Sequence, residues 1–282
     1  MKKIILLLSL IVYWPLFAFA QEPFKSPFIA VFVDDATEKE LGPIPYDRSK
    51  YAEVISALRE AKAKAVVIKF FLDQAKPGAG DDALAAEIQK MPVLLQARLN
   101  LGGPNPNPLP VSFGCASQVK GDTQKLLSGQ SGWIPLEKFS QGCAGVGFVD
   151  IVSKNDVLNI PMVLKYKDTV SPSLELATLE LAFGKSAQIF LGDKVTLASH
   201  SLPVDSLSQI HARLPDKDQI DYISFVDVIK GNFDKKRVAG KIVILGFDAK
   251  ETPVLATTLG PLRIHRLFYH SLESLYEQLE AH

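Results

Sequence analysis

The chain has 282 residues, carries 31 basic and 31 acidic side chains, and is 47% hydrophobic. That balance argues against nucleic acid or an anionic membrane surface as a partner. The hydrophobic share is ample for a buried core.

The first twenty residues read as a processing segment rather than as part of the fold. Lys2 and Lys3 form a basic start, Ile4 to Phe17 is apolar apart from Ser9 and Pro15, and Ala18-Phe19-Ala20 supplies a small–x–small cleavage pattern. This predicts a signal peptide over 1–20, cut after Ala20, and export to the periplasm or the medium. An uncleaved anchor is the alternative, although the apolar part is short for a bilayer span of about 20 residues. No later stretch is long and apolar enough to cross a membrane. Residues 21–282 read as one extracytoplasmic domain, slightly acidic once Lys2 and Lys3 are gone.

Residues 28–72 set the fold class. Phe28 to Val33 is an apolar run ending in Asp34 and Asp35. A turn with Gly42, Pro43 and Pro45 follows. Tyr51, Val54, Ile55 and Leu58 then recur at helical spacing, with Asp47 placed to cap the helix start. Ala65 to Leu72 is a second apolar run. Neither run alternates with polar residues, as expected for parallel strands covered on both faces. The expectation is an α/β fold: a mostly parallel central sheet with helices on both faces, an irregular excursion and small hairpins.

Pro77, Gly78 and Gly80 mark a loop; Asp81 or Asp82 is expected to cap a second helix, and Val93 to Leu99 to form a third buried strand. Residues 100–144 break the rhythm. Pro104, Pro106 and Pro108 exclude helix and central strand there. The segment holds Trp133, read as a packing anchor rather than a stacking platform, and the only two cysteines, Cys115 and Cys143. In an exported chain an even pair predicts a disulfide, worth about 3–4 kcal/mol in the chain-entropy model. Two reduced, buried thiols are the alternative.

Gly145 to Val152 and Val157 to Tyr166 are strand-like around Asn155-Asp156, which predicts a hairpin. Ser171-Pro172 is expected to open a third helix, stopped at Gly184. A small hairpin is expected around Gly192-Asp193. A short strand follows at Ile220 to Ile223, then a short helix from Ser224 to Gly231. Ile242 to Phe247 is the most hydrophobic strand and should be central. Phe268, Leu272, Leu275, Tyr276 and Leu279 define one face of a last helix.

Several pieces line up with one family in order: Val33–Asp35, Pro45–Arg48, Gly80–Ile88, Gly147–Asp150, Pro172–Ala177, Tyr222–Gly231, Gly240–Gly246 and Gly260–His265. Over essentially the whole mature chain the sequence resembles the second class of CHASE domains, the cyclase and histidine-kinase associated sensory extracellular family. The resemblance implies signal input, since such domains usually form the outer part of a membrane receptor with a cyclase or kinase inside the cell. Here the chain stops at His282 without such a module. It also departs from the family pattern: Lys69 replaces an acidic residue, and the arginines expected near Asn155–Pro161 are missing.

In open parallel sheets, ligands bind beyond the carboxyl ends of the strands. The ligand-binding candidates are therefore Asp34, Asp35, Arg48, Asp248 and His265, with Asp73 nearby. Arg48 could grip an anion with two parallel bonds, and the aspartates could hold a divalent cation. The bland alternatives are an Asp34 or Asp35 ion pair with Arg48, and a His265 that merely opens a helix. No nucleophile elbow, zinc-protease helix or phosphate loop is present. No cofactor, resident metal or catalytic residue is expected, and the partner is an unknown small ligand or a membrane receptor. An envelope assembly protein and a metal-dependent hydrolase are the competing readings.

Overall fold

The computed structural model describes residues 26–100, 113–115, 118–154, 157–211, 214–257 and 260–281. Its centre is a seven-stranded sheet. Strands β1 (Phe28–Val33), β2 (Ala65–Ile68) and β3 (Val93–Asn100) come first. The excursion then contributes β4 (Val119–Lys120), β5 (Ser128–Gly129) and β6 (Ser131–Trp133), and β7 (Gly145–Phe148) follows. After β8 (Val152–Lys154), β9 (Val157–Pro161), β10 (Val163–Tyr166) and β11 (Thr169–Pro172) come β12 (Gln188–Phe190), β13 (Lys194–Leu197), β14 (His200–Pro203) and β15 (Gln209–His211). The chain ends with β16 (Tyr222–Ser224), β17 (Ile242–Phe247), β18 (Val254–Thr257) and β19 (Gly260–Arg263). The helices are α1 (Asp35–Leu41), α2 (Arg48–Glu60), α3 (Gly80–Ile88), α4 (Glu137–Ser140), α5 (Leu174–Phe183), α6 (Phe225–Lys230) and α7 (Ile264–Glu280).

The central order is β16-β1-β17-β2-β3-β6, with β7 also paired to β3. Every pairing in it is parallel except β3 with β6. As expected, β17 is central, between β1 and β2.

Alternation along the strands builds two apolar layers. Ile29, Val31 and Val33 join Val66, Ile68, Val243 and Leu245 in a layer with α2, α3 and α6. Phe28, Ala30 and Phe32 join Ala65, Val67, Ile242 and Ile244 in the other, against α5 and α7. Both faces are covered, so both sets of side chains must be apolar; each fully buried one is worth about 1.5–3 kcal/mol. The second layer also takes in Ile189, Val195, Leu197 and Leu202 from the small sheet, so that sheet is packed onto the main body.

The structure corrects several local expectations. The turn after β1 contains a helix, α1, capped by Asp34. Asp47 caps α2 as expected, accepting from Ser49 N. Neither Asp81 nor Asp82 caps α3: Ala79 occupies that position without a side-chain bond, and Asp81 sits inside the first turn. The cap of α5 is Ser173, two residues later than expected, because Ser171 and Pro172 belong to β11. Gly145–Phe148 is a strand of the central sheet, and the hairpin forms instead between β8 and β9. Its turn residues, Asn155 and Asp156, lie outside the described residues, as does the proline-rich 102–108. The described part of the excursion is more ordered than expected, with β6 pairing to the end of β3.

The expected disulfide is absent: Cys115 and Cys143 are free thiols. Cys115 belongs to the layer under α5 and α7, where its Sγ is 3.6 Å from Val170 O. Cys143 packs against the opposite layer, with Sγ 3.4 Å from Ser140 O and from Gly145 O. The central sheet stands between the two environments. Burial pushes both thiols up to about 12, so they behave as small apolar groups with weak S–H donors.

Candidate functional site

Parallel strands bring their carboxyl ends to one edge. The tips of β1, β16 and β17 thereby gather Asp34, Asp35, Ser224 and Asp248, with Tyr222 two residues back at the start of β16, beside Ala30. Asp34 Oδ1 accepts from Thr37 N at 2.9 Å, from Thr37 Oγ1 at 2.7 Å and from Ser224 Oγ at 2.8 Å. Asp35, exposed on the first turn of α1, accepts from Lys250 N at 3.2 Å. The adjacent aspartates thus point in different directions, as their sequence positions suggest.

Asp248 is buried and held by two arginines. Arg266 Nη1 donates to its Oδ2 at 2.8 Å, and Arg263 Nη1 lies 3.4 Å from Oδ1. Burial raises its carboxyl from the ordinary range, and the two guanidiniums only partly offset that. Arg266 Nε also donates to both oxygens of Asp218, at 2.9 and 2.8 Å, and His270 Nε2 lies 2.8 Å from Asp218 Oδ1. Tyr222 is 38% exposed, and its ring packs against Phe32 with centroids 5.7 Å apart. The phenol proton is held more tightly by burial, then by Asp34 and Asp248. Carboxylates, a phenol and guanidiniums on one rim can engage a small polar ligand from several sides.

Arg48 does not join them. Its Nη1 donates to Asp81 Oδ1 at 2.7 Å and its Nη2 to Gln74 O at 2.8 Å. Asp81 also accepts from Lys76 N, and the guanidinium lies over the Phe139 ring. The pair is buried on both sides, so Arg48 is spent on joining α2 to α3. A cleft of about 240 Å³ borders it. A larger one, about 600 Å³, lies at the opposite end of the sheet, lined by Leu94, Gly145, Ala177 and Leu181.

His265 opens α7 and is buried. Its Nδ1 accepts from Phe247 N at 2.6 Å, so in the neutral ring Nε2 carries the proton. Burial and the nearby Lys69 ammonium push the imidazole down to about 3. His265 is therefore next to Arg266 in sequence but turned toward a second polar group.

Sequence reasoning missed that second group. Lys69, 5% exposed, leaves β2 with its Nζ 4.3 Å from the centre of the Phe268 ring. Glu175, 2% exposed, lies in the first turn of α5. Asp150 follows β7 and accepts from Leu99 N at 3.0 Å. Arg98 stacks over Trp133, which is 40% exposed and also meets the edge of Phe71. Trp133 is thus a partly open platform as well as a packing residue. The signal available in the sequence was the lysine itself: a charged residue directly continuing the apolar run Ala65–Ile68 is carried into the helix-covered layer.

Among the described residues, no group of three or more His, Cys, Asp or Glu is placed to hold a metal ion, and no helix is long and apolar enough to cross a membrane. No curated protein and no solved structure matches the chain. The profile of the CHASE2 domain matches residues 5–270, starting inside the stretch expected to be a signal peptide. With nearly its whole length matched, the chain belongs to the CHASE2 family of extracellular sensory domains.

Proposed function

We propose that residues 21–282 act as one exported sensory body that recognises a small polar ligand at the tips of β1, β16 and β17 and passes its bound state to a membrane receptor. Family membership supports the sensory role. The convergence of Asp34, Asp35 and Asp248 on the rim around Tyr222 carries the choice of surface. His265 supports that rim from behind through Phe247 N. Arg48 is a scaffold residue in this reading. Recognition rather than catalysis is the role in this reading, with Asp34 and Asp35 engaged by backbone amides and Asp248 by Arg263 and Arg266.

A thermal-shift screen of residues 21–282 against amino acids, amines, sugars and carboxylates, with pull-down from envelope extracts, tests the reading. A hit whose stabilisation is lost in Asp35→Asn and Tyr222→Phe supports it. Absence of any hit and of any captured receptor counts against it. Capture that depends on residues 102–142, without ligand stabilisation, favours an envelope assembly role.

A further inference from the structure

The larger of the two clefts lies apart from the strand tips. It holds about 600 Å³, within the range of small-molecule sites. It opens where β3 and β7 begin, against the second half of α5. Its floor is apolar: Leu94, Val146, Cys115 and Ala177 are all buried there. Phe113 and Leu181 extend that surface. Protein interiors ordinarily close such a gap, since their side chains pack to the density of organic crystals. Here the facing positions are too small to close it, with Ala144 and Gly145 entering β7, Ala177 on α5 and Gly184 at its end.

The charged groups lining the cleft are unequal. Lys64 precedes β2 and Lys185 follows α5, and both are exposed. Lys64 Nζ donates to Ala182 O at 2.8 Å, which engages one of its three N–H groups. Lys185 has no ion-pair partner among the described residues. Among those residues Glu180 is the carboxylate of the lining, and it is already engaged: its Oε1 accepts from Ala187 N at 2.7 Å. Burial also raises its carboxyl, so it holds a proton more readily than a surface glutamate.

We infer that this cleft binds an apolar chain ending in a carboxylate, of which a medium-chain fatty acid is the simplest example. The chain lies on the floor of Leu94, Val146, Cys115 and Ala177, and Lys64 and Lys185 hold the carboxylate. Two ammoniums against one engaged carboxylate favour an anionic headgroup. The buried floor offers an apolar surface, which suits an alkyl chain and does not match the hydroxyls of a sugar. Gln118 and Ser186, the other polar side chains of the lining, are donors to the same headgroup. The site is independent of the surface at the tips of β1, β16 and β17, and its failure leaves that surface untouched.

Calorimetric titration of residues 21–282 with hexanoate, octanoate and decanoate, each below its micelle concentration, tests this, with amide shift mapping of the octanoate complex. Binding should saturate and tighten about three- to fourfold for each added methylene. Shifts should centre on Leu94, Val146, Ala177 and Lys185 and spare 33–37. Lys185→Gln should weaken octanoate about two- to fivefold, and octylamine should bind more weakly than octanoate. Ala177→Leu fills the floor and should abolish the dependence on chain length. If that variant does not fold, the chain-length series in the wild type decides. Affinity indifferent to chain length, octylamine binding as tightly as octanoate, or shifts confined to the strand tips overturns the proposal. So does a dimer in ultracentrifugation that takes up no octanoate, since a second copy would then cover the cleft.

Discussion

Ser224 Oγ donates a 2.8 Å hydrogen bond to Asp34 Oδ1, joining residues 190 apart in sequence. Ser224 sits at the N-cap of α6 yet makes no cap bond there. Its hydroxyl fastens the edge strand β16 to the tip of β1 instead, while Asp34 caps α1. One carboxylate therefore positions the helix that presents Asp35 and the strand that presents Tyr222.

Asp34→Ala should remove the cap and the cross-strand bond together, destabilising the protein by about 1–3 kcal/mol. Ser224→Ala should cost about 1 kcal/mol, and the double change less than the sum, because both act through one oxygen. Urea unfolding of the four proteins checks this; strict additivity would show that the two residues act separately.

The Arg48–Asp81 pair gives a larger effect. Its side chains are 7% and 5% exposed, so removing either partner strands a buried charge. Arg48→Met or Asp81→Leu should each cost about 3–5 kcal/mol, and the double variant should recover most of it. Ligand-induced stabilisation in the double variant should match wild type. Its loss would return Arg48 to the recognition surface.

Both thiols should be countable. Labelling of denatured, unreduced protein should find two free thiols, and the native protein should react slowly, since burial keeps Cys115 and Cys143 protonated. A bridge between them in the exported protein would contradict the two-layer placement.

The pH dependence of stability should contain opposing slopes. His265 is held down to about 3, against an ordinary value of 6.5. The unfolded chain binds a proton there that the folded one refuses, so its contribution is present above 6.5 and fades as pH falls toward 3. Glu175 and Asp150 are raised, so the folded state keeps protons that the unfolded chain releases. Their effect is stability lost as pH rises from about 4 to about 6 for Asp150 and to about 7 for Glu175. Glu175→Gln should leave His265 dominant, so stability falls more steeply on acidification than in wild type, by up to about 1 kcal/mol per pH unit. His265→Gln should show the reverse. Urea midpoints between about pH 4.5 and 6.5 read the slopes directly; unchanged slopes would remove these groups from the account.

The layout of the fold was legible wherever burial on both faces leaves an uninterrupted apolar run. Phe28–Val33 and Ile242–Phe247 form strands for that reason, as does the start of the run expected over Ala65–Leu72, which ends as a strand at Ile68; the stop at Gly184 also agrees. What escaped was set by partners distant in sequence. Gly145–Phe148 looks like a hairpin arm and joins the central sheet only because β3 offers its edge. Arg48 looked like a ligand residue until Asp81, 33 positions on, claimed it. An even pair of cysteines could not reveal that a sheet would stand between them. In the candidate site, Asp34, Asp35 and Asp248 followed from the rule of strand ends, whereas Arg266, Asp218 and Tyr222 depended on how α7 and β16 dock.

The recognition surface itself is tested most directly by amide chemical-shift mapping of residues 21–282 with the best hit from the thermal-shift screen. Changes concentrated at 33–37, 222–226 and 247–250 are expected, abolished by Asp35→Asn with Tyr222→Phe. Changes centred instead on the cleft around Leu94, Gly145 and Ala177, at the other end of the sheet, would contradict it.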